Sequence, residues 1–551
     1  MNAFKKRIFL SGLGFIVLVG GGFIVARPDL YFSIKKNFTI FSEVFRMVSI
    51  DYVDEVDPGQ LVHTAIDAML GTLDPYTVLI DEQENQELNI IATGKYAGPG
   101  IEVGARGGKI VVIAPIEGYS AYRKGVKAGD VILSLNGLRA ENLSIEEIEN
   151  QLRGEPNTDV KLVVKRYGIE QPVTFELKRQ EIVIHNVTYS GFVDPDSTIG
   201  YILIRRFAQN TASEVKQALI RLEKNGHLRG LILDLRNNPG GLLSEAVGTV
   251  DLFEPPGYEV VSTKGRNPEN NSTYYTSTPA LYAGNGLVVL QNNGSASASE
   301  IVAGALQDLD RAVIVGQRSF GKGLVQIVKP LAYNTALKLT TAKYYTPSGR
   351  CIQAINYTHD QDYGAEMVPD SLRKAFVTQN GRTVYDGMGI EPDIQIQPDK
   401  PGLLQIALLQ QSQYFFFANR YTASHSEFVS QSVSDSLFSA FQNYLNEQHF
   451  HYQIPTQRYL SQLKTRLMTT DSALAVQPLD ILDSLVVRHK EQAFAREAPE
   501  IRKELYLELV SRYQGQKGKI HAELSFDPYV LRAVKVLHNR DQYDRILAIK
   551  N

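Results

Sequence analysis

Three short stretches between Leu231 and Gln326 combine residue types that can carry out acyl transfer. The first holds a serine, Ser297, in Gly294-Ser-Ala-Ser-Ala-Ser-Glu-Ile301, directly after the apolar run Leu287–Leu290. Small neighbours leave its hydroxyl open to a reactant, and the next amide, on Ala298, stands at a helix start where negative charge is favoured. The same residues fit Ser-x-x-Glu, ending at Glu300, so a serine that only caps a helix is the plain alternative. The second stretch, Ser319-Phe-Gly-Lys-Gly-Leu-Val-Gln326, sets Lys322 between Gly321 and Gly323 after the apolar run Ala312–Val315. An amine held away from bulk water favours its neutral form. Moving a lysine from about 10.4 to near neutrality takes roughly three units, about 4 kcal/mol, which buried lysines reach. A neutral Lys322 can take the Ser297 proton and return it to a leaving amine, a Ser-Lys version of triad logic, with Gln326 orienting that amine. The third stretch, Leu231–Gly241, ends an apolar run in Asn237-Asn-Pro-Gly-Gly241. Without side chains at Gly240 and Gly241, backbone amides can approach a developing oxyanion closely.

Other chemistries fit less well. Gly316-x-x-x-x-Gly321-Lys322 matches most of a phosphate-binding loop, but the next position is Gly323, which has no hydroxyl for magnesium. No Gly-x-Ser-x-Gly elbow and no His-Glu-x-x-His helix occurs. The chain has one cysteine, Cys351, and ten scattered histidines, so no internal disulfide can form and no zinc-ligand spacing arises. His185, His227 and His359, the histidines of the α/β region, lie outside the three stretches and read as solvated or structural. With 57 Lys plus Arg against 60 Asp plus Glu, the net charge of −3 gives no starting point for nucleic-acid binding. A hydrophobic fraction of 43% and a charged fraction of 21% are those of a globular chain.

The elements that must position these loops divide 551 residues into five pieces. Residues 1–26 form a membrane anchor or signal segment. Residues 27–85 read as a helical lead-in, with Phe41, Val44, Phe45 and Val48, then Leu61, Ala65, Ile66, Met69 and Leu70, at helical spacing until Asp74-Pro75. Residues 86–180 switch to short apolar runs separated by glycine turns, with one helix at Ser144–Leu152. Residues 181–400 alternate strands and helices, the signature of an α/β core, and residues 401–551 read as helices. In that last piece Tyr414-Phe-Phe-Phe417 reads as packing rather than a binding patch.

In the β-rich piece 86–180, Gly98-Pro99-Gly100-Ile101 opens a strand, and Ala128-Gly-Asp-Val-Ile-Leu133 precedes Asn136-Gly137. This order resembles a PDZ domain. A glycine loop before an edge strand offers amides to a carboxylate, and the edge accepts a peptide as an added strand.

At the start, Lys5-Lys-Arg7 precedes nineteen uncharged residues, Ile8–Ala26. At about 1.5 Å per residue they reach roughly 28 Å, about one bilayer core. The expected topology is a retained inner-membrane anchor with the body exported, so that the protein lies in the extracytoplasmic envelope, the periplasm.

Asn237–Gly241, Gly294–Ile301 and Ser319–Gln326, in this order, make the chain similar to the C-terminal processing, or tail-specific, serine peptidases. Tyr344-Tyr-Thr-Pro-Ser-Gly349 and Gly389-Ile-Glu-Pro-Asp393 extend the resemblance, which covers the lead-in to about residue 395. It implies a crotonase-like ββα superhelix core with an inserted PDZ-like domain. It also implies Ser297 as nucleophile in preference to Ser295 or Ser299, Lys322 as base, and Gln326 completing the site. The oxyanion amides would be those of Ala298 and of Gly240 or Gly241. Asp308 matches a recurrent acidic position, for which a structural role at a helix end is expected. No cofactor and no metal is implied. The partners implied are polypeptides with accessible C-termini, exported or misfolded, bound at Gly98, Pro99, Gly100 and Ile101, with a homodimer or an adaptor protein as further possibilities. The alternative is a catalytically silent PDZ scaffold that tethers tails.

Overall fold

The computed structural model describes residues 28–82, 84–85, 90, 93–284, 286–357, 366–367, 370–397, 400–427, 432–468 and 476–549. The expected span Ile8–Ala26 and His359 lie outside the described residues. Among the described residues no helix is long and apolar enough to cross a membrane. The chain divides into two units. One is Met1–Asp81 with Gln326–Thr340 and Tyr357–Asp362, and the other is Glu82–Val325 with Thr341–Asn356 and Tyr363–Asn551.

In the first unit, helix Pro28–Asp51 leads to helix Pro58–Gly71. The second helix starts where Asp57 accepts the Gly59 N–H at 2.8 Å and proline occupies its first position, where a missing N–H costs nothing. Asp74 then takes the amides of Tyr76 and Thr77, turning the chain into strand Val78–Ile80. That strand pairs antiparallel with Ala336–Lys338.

The second unit is built on a six-stranded sheet in the order Val187–Phe192, Ile199–Ile204, Gly230–Asp234, Gly286–Gln291, Val313–Gly316 and Ile394–Gln395. The first pair is antiparallel and the other four are parallel. Its inner strands are buried on both faces, which explains why they read as continuous apolar runs. On one face Leu231, Leu233, Leu287, Val289 and Ile314 pack against helices Thr211–Asn225, Leu243–Val250 and Ala298–Asp308. On the other, Ile232, Val288, Leu290, Val313 and Val315 pack against Tyr529, Val530, Ala533, Val536 and Tyr543 of the last two helices, Pro528–His538 and Arg540–Ile546. The sequence reading did not foresee this second cover.

The PDZ-like part is a sheet ordered Ile101–Arg106, Lys109–Pro115, Val131–Leu135, Asp159–Lys165 and Val173–Lys178 around its own apolar cluster. Its helix Ile145–Leu152 opens with a reciprocal box, the Ser144 amide to Glu147 at 2.6 Å and the Glu147 amide to Ser144 Oγ at 3.1 Å. Tyr414 and Phe417 pack with Phe441 inside the C-terminal helices, while Phe415 lies under the Arg106 and Arg512 guanidinium groups. The aromatic run is therefore packing, and its second ring holds the PDZ-like part.

Candidate active site

Strand Gly230–Asp234 delivers the first loop. The Arg236 guanidinium folds back on Asp234 at 2.5 Å and reaches Asp527, the N-cap of helix Pro528–His538, at 2.7 Å. Tyr201 donates to the same Asp234 at 2.6 Å, and Arg236 lies 4.9 Å over the Tyr529 ring. Asn238, fully buried, holds the turn that follows. Its Nδ2 donates to the Ile204 carbonyl and its Oδ1 accepts the Gly240 N–H, both at 2.9 Å. Gly240, at φ 97°, allows this fold. A Cβ built there would stand 2.8 Å from the Ser297 Cβ and 2.8 Å from the Ala298 nitrogen.

The second loop is stitched to the first. Asn237 N–H donates to Asn292 Oδ1 and Asn292 Nδ2 donates to Asn237 Oδ1, each at 2.9 Å. The three serines of Gly294–Ile301 then part company. Ser295 is buried and donates to the Leu235 carbonyl at 2.8 Å, and Ser299 is buried and donates to the Asn238 carbonyl at 2.9 Å. Both are spent on fastening the loops. Ser297 is half-buried and stands at φ 56°, ψ −113°, a conformation that L-residues avoid unless the surroundings impose it. Only one half of the expected capping box is in place, the bond from the Ser297 N–H to the Glu300 side chain, and the Ser297 hydroxyl makes no cap bond. The Ser297 N–H donates to Glu300 Oε2 at 2.8 Å, whereas the Glu300 N–H donates to the Ser297 carbonyl oxygen at 2.8 Å. Tyr344, whose hydroxyl burial keeps protonated, donates to that carbonyl as well, at 3.2 Å.

The third loop closes on the same glutamate. Glu300 Oε1 accepts Ser319 Oγ at 2.6 Å and the Gly321 N–H at 2.7 Å, and Oε2 accepts the Lys322 N–H at 2.9 Å. Burial pushes the Glu300 carboxyl up, and the hydroxyl and amide donors oppose this. The glycines beside Lys322 are needed sterically. A Cβ on Gly321 would lie 2.4 Å from the Ala354 Cβ, and one on Gly323 would lie 2.8 Å from the Gln353 nitrogen. The amides of a phosphate-binding loop point outward at a ligand; here those of Gly321 and Lys322 point inward at a carboxylate.

The sequence-predicted residues are thus placed as follows. The backbones of Ser297, Ala298, Gly240 and Lys322 come together around Glu300 and the Asn238 turn. Gly241, at φ 145°, packs so that a Cβ would meet the Phe207 carbonyl at 2.2 Å. The Ala298 and Gly241 N–H groups donate to no protein acceptor among the described residues, whereas that of Gly240 is given to Asn238. Gln326 belongs to the first unit, where its amide donates to Thr340 Oγ1 at 3.2 Å. Asp308 is buried against Arg350 at 2.7 Å and also accepts from Thr346, a structural network at the helix end. His185 is exposed, and His227 donates its backbone amide to Ser197. In the PDZ-like part, Gly98 ends a strand paired with Gln180, and the Pro99 and Gly100 carbonyls accept from Ala121 and Ile116. The Ile101 side chain is buried in that domain's core. Sequence reasoning missed Glu300 as a hub, because Ser-x-x-Glu has a sufficient local meaning, and missed Asn238, whose role needs the distant Ile204 carbonyl to be seen.

Comparison with known proteins places names on these parts. Family models match residues 29–84 (activating protease CtpB N-terminal domain), 111–166 (PDZ domain), 198–363 (peptidase family S41) and 404–537 (probable PDZ-protease, C-terminal helical domain). The chain is similar to the carboxy-terminal-processing protease of Bartonella bacilliformis, 39% identical over 328 residues, which cover 59% of this chain and 74% of that protein. It is similar to a probable CtpA-like serine protease of Staphylococcus aureus (strain N315), 35% identical over 366 residues, covering 63% of this chain and 72% of that one. The solved structure of a photosystem II D1 C-terminal processing protease is 28% identical, covers 68% of this chain and 96% of its own, and superposes with a TM-score of 0.35. With its α/β core, inserted PDZ domain and flanking helical regions, the chain belongs to peptidase family S41, among the carboxy-terminal-processing serine proteases.

Proposed function

We propose that the protein is an endopeptidase of the cell envelope that cleaves exported or misfolded polypeptides recognised by their C-terminal tails, with Ser297 and Lys322 as a catalytic dyad. Ser297 Oγ attacks the scissile carbonyl carbon while Lys322 Nζ, as a neutral amine, takes its proton. The oxyanion is received by the N–H groups of Ala298 and Gly241, which have no protein acceptor among the described residues. Gly240 serves by its lack of a side chain. Lys322 then protonates the leaving amine, and water activated by the same lysine releases the acyl group from Ser297.

The observation that carries this reading is that one buried carboxylate, Glu300, fixes the backbones on which both proposed groups stand, while Ser295 and Ser299 are consumed by the scaffold. Tail recognition belongs to strand Ile101–Arg106, which among the described residues pairs on one side only and lies at the edge of its sheet beyond the Gly98–Gly100 turn. The run Ile8–Ala26 would hold the protein on the outer side of the inner membrane.

The test compares wild type and Ser297→Ala on an unfolded substrate bearing a free apolar C-terminus and on the same substrate amidated at that end. The expected result is cleavage by wild type only, at least ten-fold faster for the free tail. Equal cleavage of both substrates removes tail selectivity, and cleavage by Ser297→Ala removes the nucleophile.

A further inference from the structure

Three consecutive N–H groups run through the loop of the proposed base, and each is accepted by a side chain rather than by a neighbouring strand. Those of Gly321 and Lys322 go to Glu300. That of Gly323 goes to Gln353 Oε1 at 2.7 Å, in a buried contact. Gln353 is only 8% exposed, and its Nε2 donates to the Ile355 carbonyl at 2.9 Å. An amide suits both neighbours, since one is a donor and the other an acceptor. An ionised carboxylate there would set oxygen against the Ile355 oxygen, and an apolar side chain would leave the buried Gly323 N–H unpaired.

The segment that carries Gln353 is fastened from behind. The Cys351 and Ile352 carbonyls accept the Gly387 and Gly389 N–H groups at 2.8 and 2.9 Å. The stretches Tyr344–Gly349 and Gly389–Asp393 therefore both bear on the lysine loop. The first sends the Tyr344 N–H to the Gly323 carbonyl at 3.0 Å, and the second supports the backbone next to Gln353.

A side chain leaves the backbone in the direction that the two peptide planes flanking its Cα allow. The plane before Lys322 is held at both ends, the Gly321 carbonyl by the Ala354 N–H at 2.9 Å and the Lys322 N–H by Glu300. The plane after Lys322 ends in a glycine. Gly323 has to lack a Cβ, since one would stand 2.8 Å from the Gln353 nitrogen, and a residue without a Cβ restrains that plane least. The close approach that demands glycine thus creates a freedom that the Gln353 side chain removes.

We propose that Gln353 is a positioning residue for Lys322, fixing with Glu300 the two peptide planes around the lysine Cα and so the direction in which the amine is delivered. The inference rests on the reading of Lys322 as the base. Its uncharged amide suits that role, because a second carboxylate beside this loop would favour the ammonium form and disable the base. A reacting group misplaced by about 1 Å loses on the order of 10²-fold in rate, which sets the size of the effect.

The test is a double-mutant cycle on the full-length protein. The rate at which a fluorophosphonate modifies Ser297, and kcat and KM on an unfolded substrate, are measured for wild type, Gln353→Met, Lys322→Met and the double variant, slow labelling being followed over days. For Gln353→Met the expected result is a fall of about 10–100-fold in labelling and in kcat, with KM within about three-fold of wild type. Added to Lys322→Met, the same substitution causes no further fall in labelling. Gln353→Asn keeps both amide atoms one methylene short and is expected to lie between wild type and Gln353→Met; it replaces the methionine variant in the cycle if urea unfolding shows that protein to be unfolded. An equal fall in both backgrounds makes Gln353 part of the general scaffold and overturns the proposal. So does a Gln353→Met protein that labels at the wild-type rate while Lys322→Met is slow. Wild-type labelling by Lys322→Met removes the base and this proposal with it, and that single variant tells the two failures apart.

Discussion

Ser297 and Lys322 donate their backbone N–H groups to the same oxygen, Oε2 of Glu300, at 2.8 and 2.9 Å. The two nitrogens can therefore be no further apart than those two bonds laid end to end, although 25 positions separate them in the chain. Four donors occupy the two oxygens of this buried carboxylate, so any loss at position 300 is felt by both loops.

Glu300→Gln replaces one acceptor oxygen by a donor that faces amides already pointing inward. The expected outcome is a loss of about 2–4 kcal/mol in urea unfolding and at least a 100-fold fall in kcat. Because the removed negative charge favours an ammonium, the acid limb of the kcat/KM profile also moves to lower pH in this variant. An unchanged limb would place the base away from Glu300.

Ser295→Ala and Ser297→Ala separate scaffold from chemistry. The first removes a buried bond to the Leu235 carbonyl and costs about 1–3 kcal/mol of stability with activity retained in the folded fraction. The second leaves stability within about 0.5 kcal/mol of wild type and abolishes turnover. Thermal unfolding and peptide hydrolysis, measured on both, check the assignment.

Gly240→Ala puts a methyl group 2.8 Å from the Ser297 Cβ and 2.6 Å from the Ala296 carbonyl, at a φ of 97°. Displacing the turn by a few tenths of an ångström spoils the oxyanion amides, so kcat is expected to fall 10²–10³-fold, the range seen on losing one oxyanion donor, with KM changed less than three-fold. A fall carried by KM alone would assign the turn to substrate binding.

Burial pushes the Glu254 carboxyl up to about 7, with Arg311 opposing, since the guanidinium is 3.9 Å away. The folded state thus holds this proton more tightly than the unfolded chain does. Stability from this group is full below the unfolded value near 4.5 and is lost as pH rises through about 7. Urea midpoints of wild type are expected to drop relative to Glu254→Gln between those values, and parallel curves would contradict the assignment.

Arg236 joins the oxyanion loop to the C-terminal helices through Asp527. Arg236→Met leaves Asp234 buried beside the Tyr201 hydroxyl with no cation, an expected cost of about 3–5 kcal/mol. Hydrogen exchange should then rise in both Gly230–Asp234 and Pro528–His538 if the two elements are one cooperative body.

Much of this arrangement was legible in the chain. The runs Leu231–Leu235 and Leu287–Leu290 read as buried strands because both faces of a parallel sheet are covered, and glycines at 240, 321 and 323 marked places where backbone must approach backbone. What covers the second sheet face was not legible, because Tyr529, Val530, Ala533 and Val536 look like any amphipathic helix until their partners are known. Nor was the division of labour among Ser295, Ser297 and Ser299. It depends on two carbonyls, of Leu235 and Asn238, that lie about 60 residues earlier. Glu300 was hidden by a local explanation, the capping box, of which only the bond from the Ser297 N–H to the glutamate is formed.

The dyad itself is tested most directly by the rate at which a fluorophosphonate modifies the protein at pH 7, with the adduct mapped by mass spectrometry, in wild type and in Lys322→Met. The expected result is a single adduct on Ser297 in wild type and a rate at least 10³-fold lower in a folded Lys322→Met protein. An adduct on another residue, or equal rates in the two proteins, would contradict it.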